Sequence, residues 1–133
     1  MHHIGYTSRA VGYRNTADLE ELCSWSAAHN RQIGVTGLLV FDGVRYIQLI
    51  EGDASAVCQL MASIARDSRH ERIIYIIDGP TPERAFESWD LACIGFRNTL
   101  SSLQLLTDVK AKLQNVRDIH VLSSFIGFAS LAK

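Results

Sequence analysis

Polar and apolar residues alternate over residues 4–8, placing Ile4, Tyr6 and Ser8 on one face of a strand that Gly12 closes. The period then lengthens. After Asn15 or Thr16, either of which can cap a helix, Leu19, Leu22, Cys23, Ser26 and Asn30 recur at helical spacing as far as Gly34. Asn30 therefore falls on the buried stripe of that helix. Alternation returns over residues 35–41 and 45–50 on either side of Asp42-Gly43, a strong hairpin signal, and groups Tyr46, Gln48 and Ile50 on one face. Glu51-Gly52-Asp53 breaks the strand, and Val57, Leu60, Met61 and Ile64 mark a second amphipathic helix running out near Asp67.

A continuous apolar run at 73–77, closed by Gly79-Pro80-Thr81-Pro82, predicts a strand covered or flanked on both sides. A further strand is predicted over 89–96. Two helices follow, the first around Leu103, Leu106, Val109 and Leu113, the second around Ile119, Leu122, Phe125, Ile126 and Leu131. This order predicts an α+β fold: a ferredoxin-like βαββαββ sheet with two helices on one face and two additional C-terminal helices on the other. Residues 1–97 would form the core, and 98–133 a helical extension of the same compact unit. In that topology the first and third strands are central neighbours, which brings Tyr6 and Gln48 side by side.

Composition narrows the function classes more than it names one. With 133 residues, 47% of them hydrophobic, the chain can bury one core but not two. A net charge of −1 with mixed signs gives no basis for nucleic-acid or membrane-surface binding. Cys23, Cys58 and Cys93 are odd in number, far apart and without a CxxC spacing, which argues against a disulfide framework and against a zinc site. No signal peptide or membrane-spanning stretch is legible, so a cytoplasmic protein is expected.

Three polar side chains stand out because the pattern buries them: Tyr6 and Gln48 on central strands and Asn30 on a helix stripe. An unpaired buried amide costs about 1–3 kcal/mol, so something polar should sit among them. Either they satisfy one another and the nearby backbone, or they face a ligand.

The chain resembles the BLUF domains, blue-light sensors using flavin, from about residue 4 to 91. The resemblance rests on five stretches in order. These are Tyr6-Thr-Ser8-Arg-Ala10; Asn30 with Gly34-Val-Thr-Gly37-Leu-Leu and Asp42-Gly43; Tyr46-Ile-Gln48-Leu-Ile-Glu51-Gly52; Ile64 with Asp67-Ser-Arg69-His70; and Phe86-Glu-Ser-Trp89. It implies that FAD or FMN is held non-covalently between the first two helices, with Asn30 and Gln48 bonded to the polar edge of the ring and Tyr6 bonded to Gln48. Ile64 would pack on the ring, and Asp67, Arg69 and His70 would lie at the same pocket, unless they form a solvated helix terminus. Tyr6, Gln48 and Trp89 would make up the photoactive switch, although Trp89 also reads as a core aromatic.

The residue types suit that role. A phenol can supply an electron to a photo-oxidant and release its proton, and a glutamine can exchange its donor and acceptor ends by rotation or tautomerisation within one volume. Members of the family commonly carry a methionine two residues after the tryptophan; this chain has Leu91, which keeps the volume and loses the sulfur. Gly5 stands where a larger apolar residue is expected. No catalytic effector is expected, so signalling would pass through protein contacts, as a homo-oligomer or with a separate partner. Phe125, Phe128 and Leu131 are candidates for that surface, although a plain helix packed on the back face of the sheet also accounts for them and is the favoured reading for Phe125.

A ferredoxin-like regulatory domain that binds a small molecule without photochemistry is the competing reading. An acylphosphatase-like hydrolase would want a glycine-rich phosphate cradle after the first strand, where residues 9–14 offer only Gly12. A flavin reductase would want a nicotinamide site, and no G-x-G-x-x-G follows a strand.

Overall fold

The structure, a computed structural model, describes residues 1–12, 15–87, 90–95 and 102–131. In chain order its elements are β1 (His2–Ala10), α1 (Thr16–Ile33), β2 (Thr36–Phe41), β3 (Arg45–Gly52), α2 (Ala54–Ala65), β4 (His70–Pro80), β5 (Ala92–Ile94), α3 (Ser102–Lys112) and α4 (Ile119–Ser130). The strands form one sheet in the order β4-β1-β3-β2-β5, antiparallel except for the β2–β5 pair. The fold is α+β and ferredoxin-like, as the pattern predicts, with β1 and β3 adjacent and Tyr6 opposite Gln48.

Local signals set the element ends. The Asn15 side chain accepts from the Asp18 amide to start α1, and Gly34 ends it in the left-handed conformation (φ 69°) while the Val35 amide returns to the Asn30 carbonyl. At the hairpin, Asp42 accepts from the amides of Val44 and Arg45. Asp53 caps α2 through the Ser55 amide.

Strand alternation divides the core between the two faces. Toward one face, Ile4, Tyr6 and Ile50 pack with Val57 and Met61 of α2, and Leu39, Phe41 and Tyr46 pack with Leu19 of α1. Toward the other, Leu38, Val40, Ile47 and Leu49 pack with Val109 of α3 and with Val121 and Phe125 of α4. Every position of β2 is buried because both faces are covered. Each fully buried aliphatic contributes about 1.5–3 kcal/mol, which fixes α3 and α4 to the sheet.

Four expectations need correction. β4 is an edge strand rather than one covered on both sides: Ile74 and Tyr75 are 61% and 51% exposed, and two register shifts against β1, with Arg72 at φ 56°, interrupt its alternation. The buried stripe of α3 runs through Leu105 and Val109 and on to Leu113 just past its end, with Leu103 exposed. On α4 it runs through Val121, Phe125 and Phe128, while Ile119 and Leu131, the first helical residue and the C-cap, are exposed. Phe125 thus packs on the back face of the sheet as expected, Phe128 belongs to the core rather than to an outer surface, and of that trio Leu131 is exposed.

The fourth correction concerns cysteine. Cys23 on α1 and Cys93 on β5 form a disulfide, with Cα atoms 6.5 Å apart, and Cys58 is the free, exposed thiol. Seventy residues of sequence conceal a pairing that the packing of α1 beside β5 brings together. Gly5 also finds its reason in tertiary contact: a Cβ there would come within 3.2 Å of Ile77 on β4.

Candidate functional site

A cavity of about 300 Å³ opens between α1 and α2 above the β1–β3 pair, at the lower end of the ~300–1,000 Å³ typical of small-molecule sites. Its lining is mainly apolar, from Leu22, Leu39, Leu60 and Ile64. All of the described polar candidates reach it: Tyr6, Asn30, Gln48, Asp67, Arg69 and His70. Trp89 lies outside the described residues.

Pairing of β1 with β3 sets the central contact. Tyr6 donates its hydroxyl to Oε1 of Gln48, and both side chains are buried. With Oε1 engaged, the Gln48 Nε2 donors have no protein partner among the described residues. Asn30 shows the complementary case: its Nδ2 donates to the Asp90 carbonyl at 3.0 Å, leaving Oδ1 without a partner among the described residues in a side chain only 2% exposed. One unsatisfied donor and one unsatisfied acceptor thus face a single slot. Such groups are costly unless something in the slot completes them.

Burial pushes the Tyr6 phenol well above its ordinary pKa, reinforced by the neighbouring Tyr46, Asp67 and Tyr75. Tyr6 therefore stays protonated and remains a donor. His70 uses both ring nitrogens internally, Nε2 donating to the Ile64 carbonyl at 2.6 Å and Nδ1 accepting from Ser8 Oγ at 2.7 Å. A carbonyl can only accept, which fixes the tautomer. His70 thereby ties β1 to the end of α2 and offers the cavity its ring rather than a free nitrogen.

Asp67 and Arg69 form a chelated pair at the rim. The Arg69 Nε lies 2.9 and 3.0 Å from the two carboxylate oxygens of Asp67, and its backbone amide donates to Oδ1 at 2.9 Å. The Arg69 hydrogen bond holds the Asp67 pKa down at about 2, and Asp67 in turn raises that of Arg69. Arg69 is thus neither a free cation nor a loose terminus.

Three further residues were not singled out by the sequence as site residues. Tyr46, buried and stacked on Phe41 at 4.6 Å, lines the cavity beside Tyr6; the alternation of β3 already placed it on that face. His29 lines the mouth with Trp25, their rings nearly parallel at 6.4 Å. Glu51, read as part of a strand break, continues β3 and is fully buried. Its carboxylate accepts from Thr36 Oγ1 at 2.9 Å and from the Ala85 and Phe86 amides at 2.8 Å each. No signal in one sequence marks such a clamp, because its partners lie 15, 34 and 35 residues away. Leu91 is buried with Leu19, Leu39 and Tyr46, so it packs between α1 and the sheet.

The orphaned amide groups suit a planar heteroaromatic ring with donors and acceptors along one edge, which is what a flavin presents. A single five-stranded sheet carrying a ring-sized slot beneath two helices defines a domain built to bind a planar ligand. The profile of the family described as sensors of blue-light using FAD matches residues 1–92, and the chain belongs to that BLUF family. It is a blue-light sensor domain whose family cofactor is FAD. The chain is 35% identical over 77 residues to the beta subunit of photoactivated adenylate cyclase from Euglena gracilis, a match spanning 58% of this chain and 9% of that protein. It is 35% identical over 68 residues to the blue light- and temperature-regulated antirepressor BluF of Escherichia coli, covering 51% and 17%. It therefore spans less than a fifth of either of these relatives. Among solved structures, the dark state of BlrB, a BLUF protein, superposes with a TM-score of 0.73 at 27% identity over 97% of this chain and 95% of that one. Klebsiella pneumoniae BlrP1 with FMN and cyclic diGMP gives 0.76 at 25% identity, covering 95% and 34%. A BLUF domain is a photosensor rather than an enzyme in itself. Among the described residues no helix is long and apolar enough to cross a membrane.

Proposed function

We propose that light switches this domain through Tyr6 and Gln48. The reading is carried by one observation: the Tyr6 hydroxyl already bonds Gln48 Oε1, and Gln48, its Nε2 without a protein partner among the described residues, lines the slot. Bound there, the flavin supplies blue-light absorption and a photo-oxidant. Tyr6 would be the electron donor to that photo-oxidant, its hydroxyl proton already shared with Oε1 of Gln48, and Gln48 would carry the change by rotating or tautomerising its amide, with no substrate consumed. Asn30 would hold the ring edge through Oδ1, Ile64 would pack on its face, and Asp67, Arg69 and His70 would frame the rim. Trp89 would complete the switch. Absorption spectra of the purified, flavin-loaded protein before and after blue light test this. The wild type should show a reversible red shift and Tyr6→Phe and Gln48→Leu none; a shift surviving in either variant refutes the assignment.

The signal would leave through protein contacts, by self-association or through a separate partner. Exposed Ile74 and Tyr75 on the edge strand β4 support a contact surface there. Residues 98–133 would belong to the same folding unit, which the packing of α3 and α4 on the sheet supports. Light scattering in darkness and under illumination, together with pull-down, tests the output. An unchanged monomer without a partner refutes it.

A further inference from the structure

The face of α1 that carries Asn30 makes a second link, which the Tyr6–Gln48 switch does not use. Cys23, Ala27 and Asn30 follow one another at helical spacing; Cys23 is bonded to Cys93 on β5, and Asn30 donates to the Asp90 carbonyl. From residue 23 to 30 a helix advances about 10 Å, and from 90 to 93 an extended chain covers about 10 Å. Residues 90–93 therefore run alongside α1 and are fastened to it at both ends, with Leu91 between them buried against Leu19 and Leu39.

The two fastenings differ in strength. At the Asp90 end stand the Asn30 bond and an ion pair in which Arg31 Nε donates to Asp90 Oδ2 at 2.8 Å, its side chains 72% and 35% exposed, a weak tether in water. The Cys93 end is covalent. Strand pairing adds little hold, because β5 is a three-residue edge strand with β2 as its one neighbour. The disulfide is thus the main anchor of the carbonyl that orients the Asn30 amide. Both cysteines are partly exposed, and accessible disulfides are the ones thiols reduce.

We propose that Cys23–Cys93 is a site of thiol–disulfide exchange whose redox state governs how firmly Asn30 is held against the flavin. The co-reactant is a dithiol. One of its thiolates attacks a sulfur of the pair, the Cys23–Cys93 bond breaks as a mixed disulfide forms, and the second thiolate displaces it; the dithiol leaves as its own disulfide, and two electrons and two protons end on Cys23 and Cys93. Reduction frees residues 90–93, the Asp90 carbonyl loosens its hold on Asn30 Nδ2, and that wall of the slot relaxes. The oxidised domain binds flavin more tightly and keeps its lit state longer; the reduced domain binds more weakly and resets faster. This rests on the flavin reading of the slot and adds a redox dependence which that reading does not require.

The test compares oxidised protein with protein reduced by dithiothreitol and desalted without oxygen, so that no added thiol meets the flavin, at a temperature well below either melt. Riboflavin affinity of the apoprotein in the dark and the rate at which the red-shifted spectrum returns after blue light are measured for the wild type, Cys58→Ser and Cys93→Ser. Reduction should weaken riboflavin binding by about three- to fivefold, the loss of one hydrogen bond at the weak end of its range. It should speed the return by a similar factor, and reoxidation should restore both. Cys58→Ser should respond like the wild type, while Cys93→Ser should match the reduced protein in either state. A reduced wild type that melts lower but keeps its affinity or its return rate, or a redox response that survives in Cys93→Ser, overturns the proposal and leaves the flavin reading standing. Failure to bind riboflavin in both redox states overturns both.

Discussion

Asn30 and Gln48 present opposite unsatisfied groups to the same slot, an acceptor oxygen on the last turn of α1 and a donor nitrogen on β3. Each orientation is imposed from behind. The Asp90 carbonyl can only accept, so it draws the Asn30 amide nitrogen; the buried, protonated Tyr6 donates and so draws the Gln48 oxygen. The polarity of the slot is thus written by a backbone carbonyl behind Asn30 and by Tyr6 beside Gln48.

Asn30→Ala removes the acceptor and one wall contact together. Loss of one buried hydrogen bond is worth about 1–3 kcal/mol, so flavin affinity should fall by roughly five- to 150-fold. Titrating apoprotein with riboflavin, which lacks the phosphates, reads the ring contact alone. Unchanged affinity would mean that the Asn30 oxygen faces solvent in the complex.

Glu51→Gln tests the clamp behind the switch strand. The carboxylate accepts from two backbone amides and a hydroxyl, while an amide side chain keeps only one acceptor oxygen. At least one buried N–H then loses its partner, at a cost of about 2 kcal/mol. For a domain of this size that lowers the melting temperature by about 8 °C. A melt equal to wild type would show that the segment carrying Ala85 and Phe86 holds its place without Glu51.

Strands β1 to β3, both leading helices and the Tyr6–Gln48 adjacency were legible because alternation, caps and the Asp42-Gly43 turn act over a few residues. What stayed hidden depends on distant parts of the chain. The run of apolar residues in β4 looked like a covered strand, yet sheet order leaves it at an edge. Gly5 made sense only once Ile77 lay across it. On α4, Ile119 and Phe128 are equally apolar, and only the position of the sheet decides that one is exposed and the other buried.

The Asp67–Arg69 pair should appear in acid stability. Asp67 has its folded-state pKa lowered to about 2, against about 3.9 in an unfolded chain. A depressed carboxylate stabilises fully above the unfolded value and loses that contribution as pH falls through the folded one. Discounted for the partial exposure of both partners, the contribution is about 1 kcal/mol. Unfolding free energies of wild type and Asp67→Asn from urea titrations should differ by this amount at pH 5–7 and converge between about pH 4 and pH 2. A gap that persists at pH 2 would assign the effect to packing.

The Cys23–Cys93 crosslink joins α1, which forms one wall of the flavin slot, to β5, which follows the segment leading from Phe86 to Leu91. Closing a loop with a sequence separation of 70 restricts the unfolded chain and should stabilise the domain by about 2–4 kcal/mol. Thiol counting checks the bond before any energetics. Of three cysteines only Cys58 is free, so protein denatured without reductant should react with one equivalent of thiol reagent, and reduced protein with three. Reductant should then lower the melting temperature of the wild type but not that of the Cys23→Ser, Cys93→Ser double variant. Three reactive thiols before reduction would mean that α1 and β5 are held by packing alone, and the reductant effect should vanish with the bond.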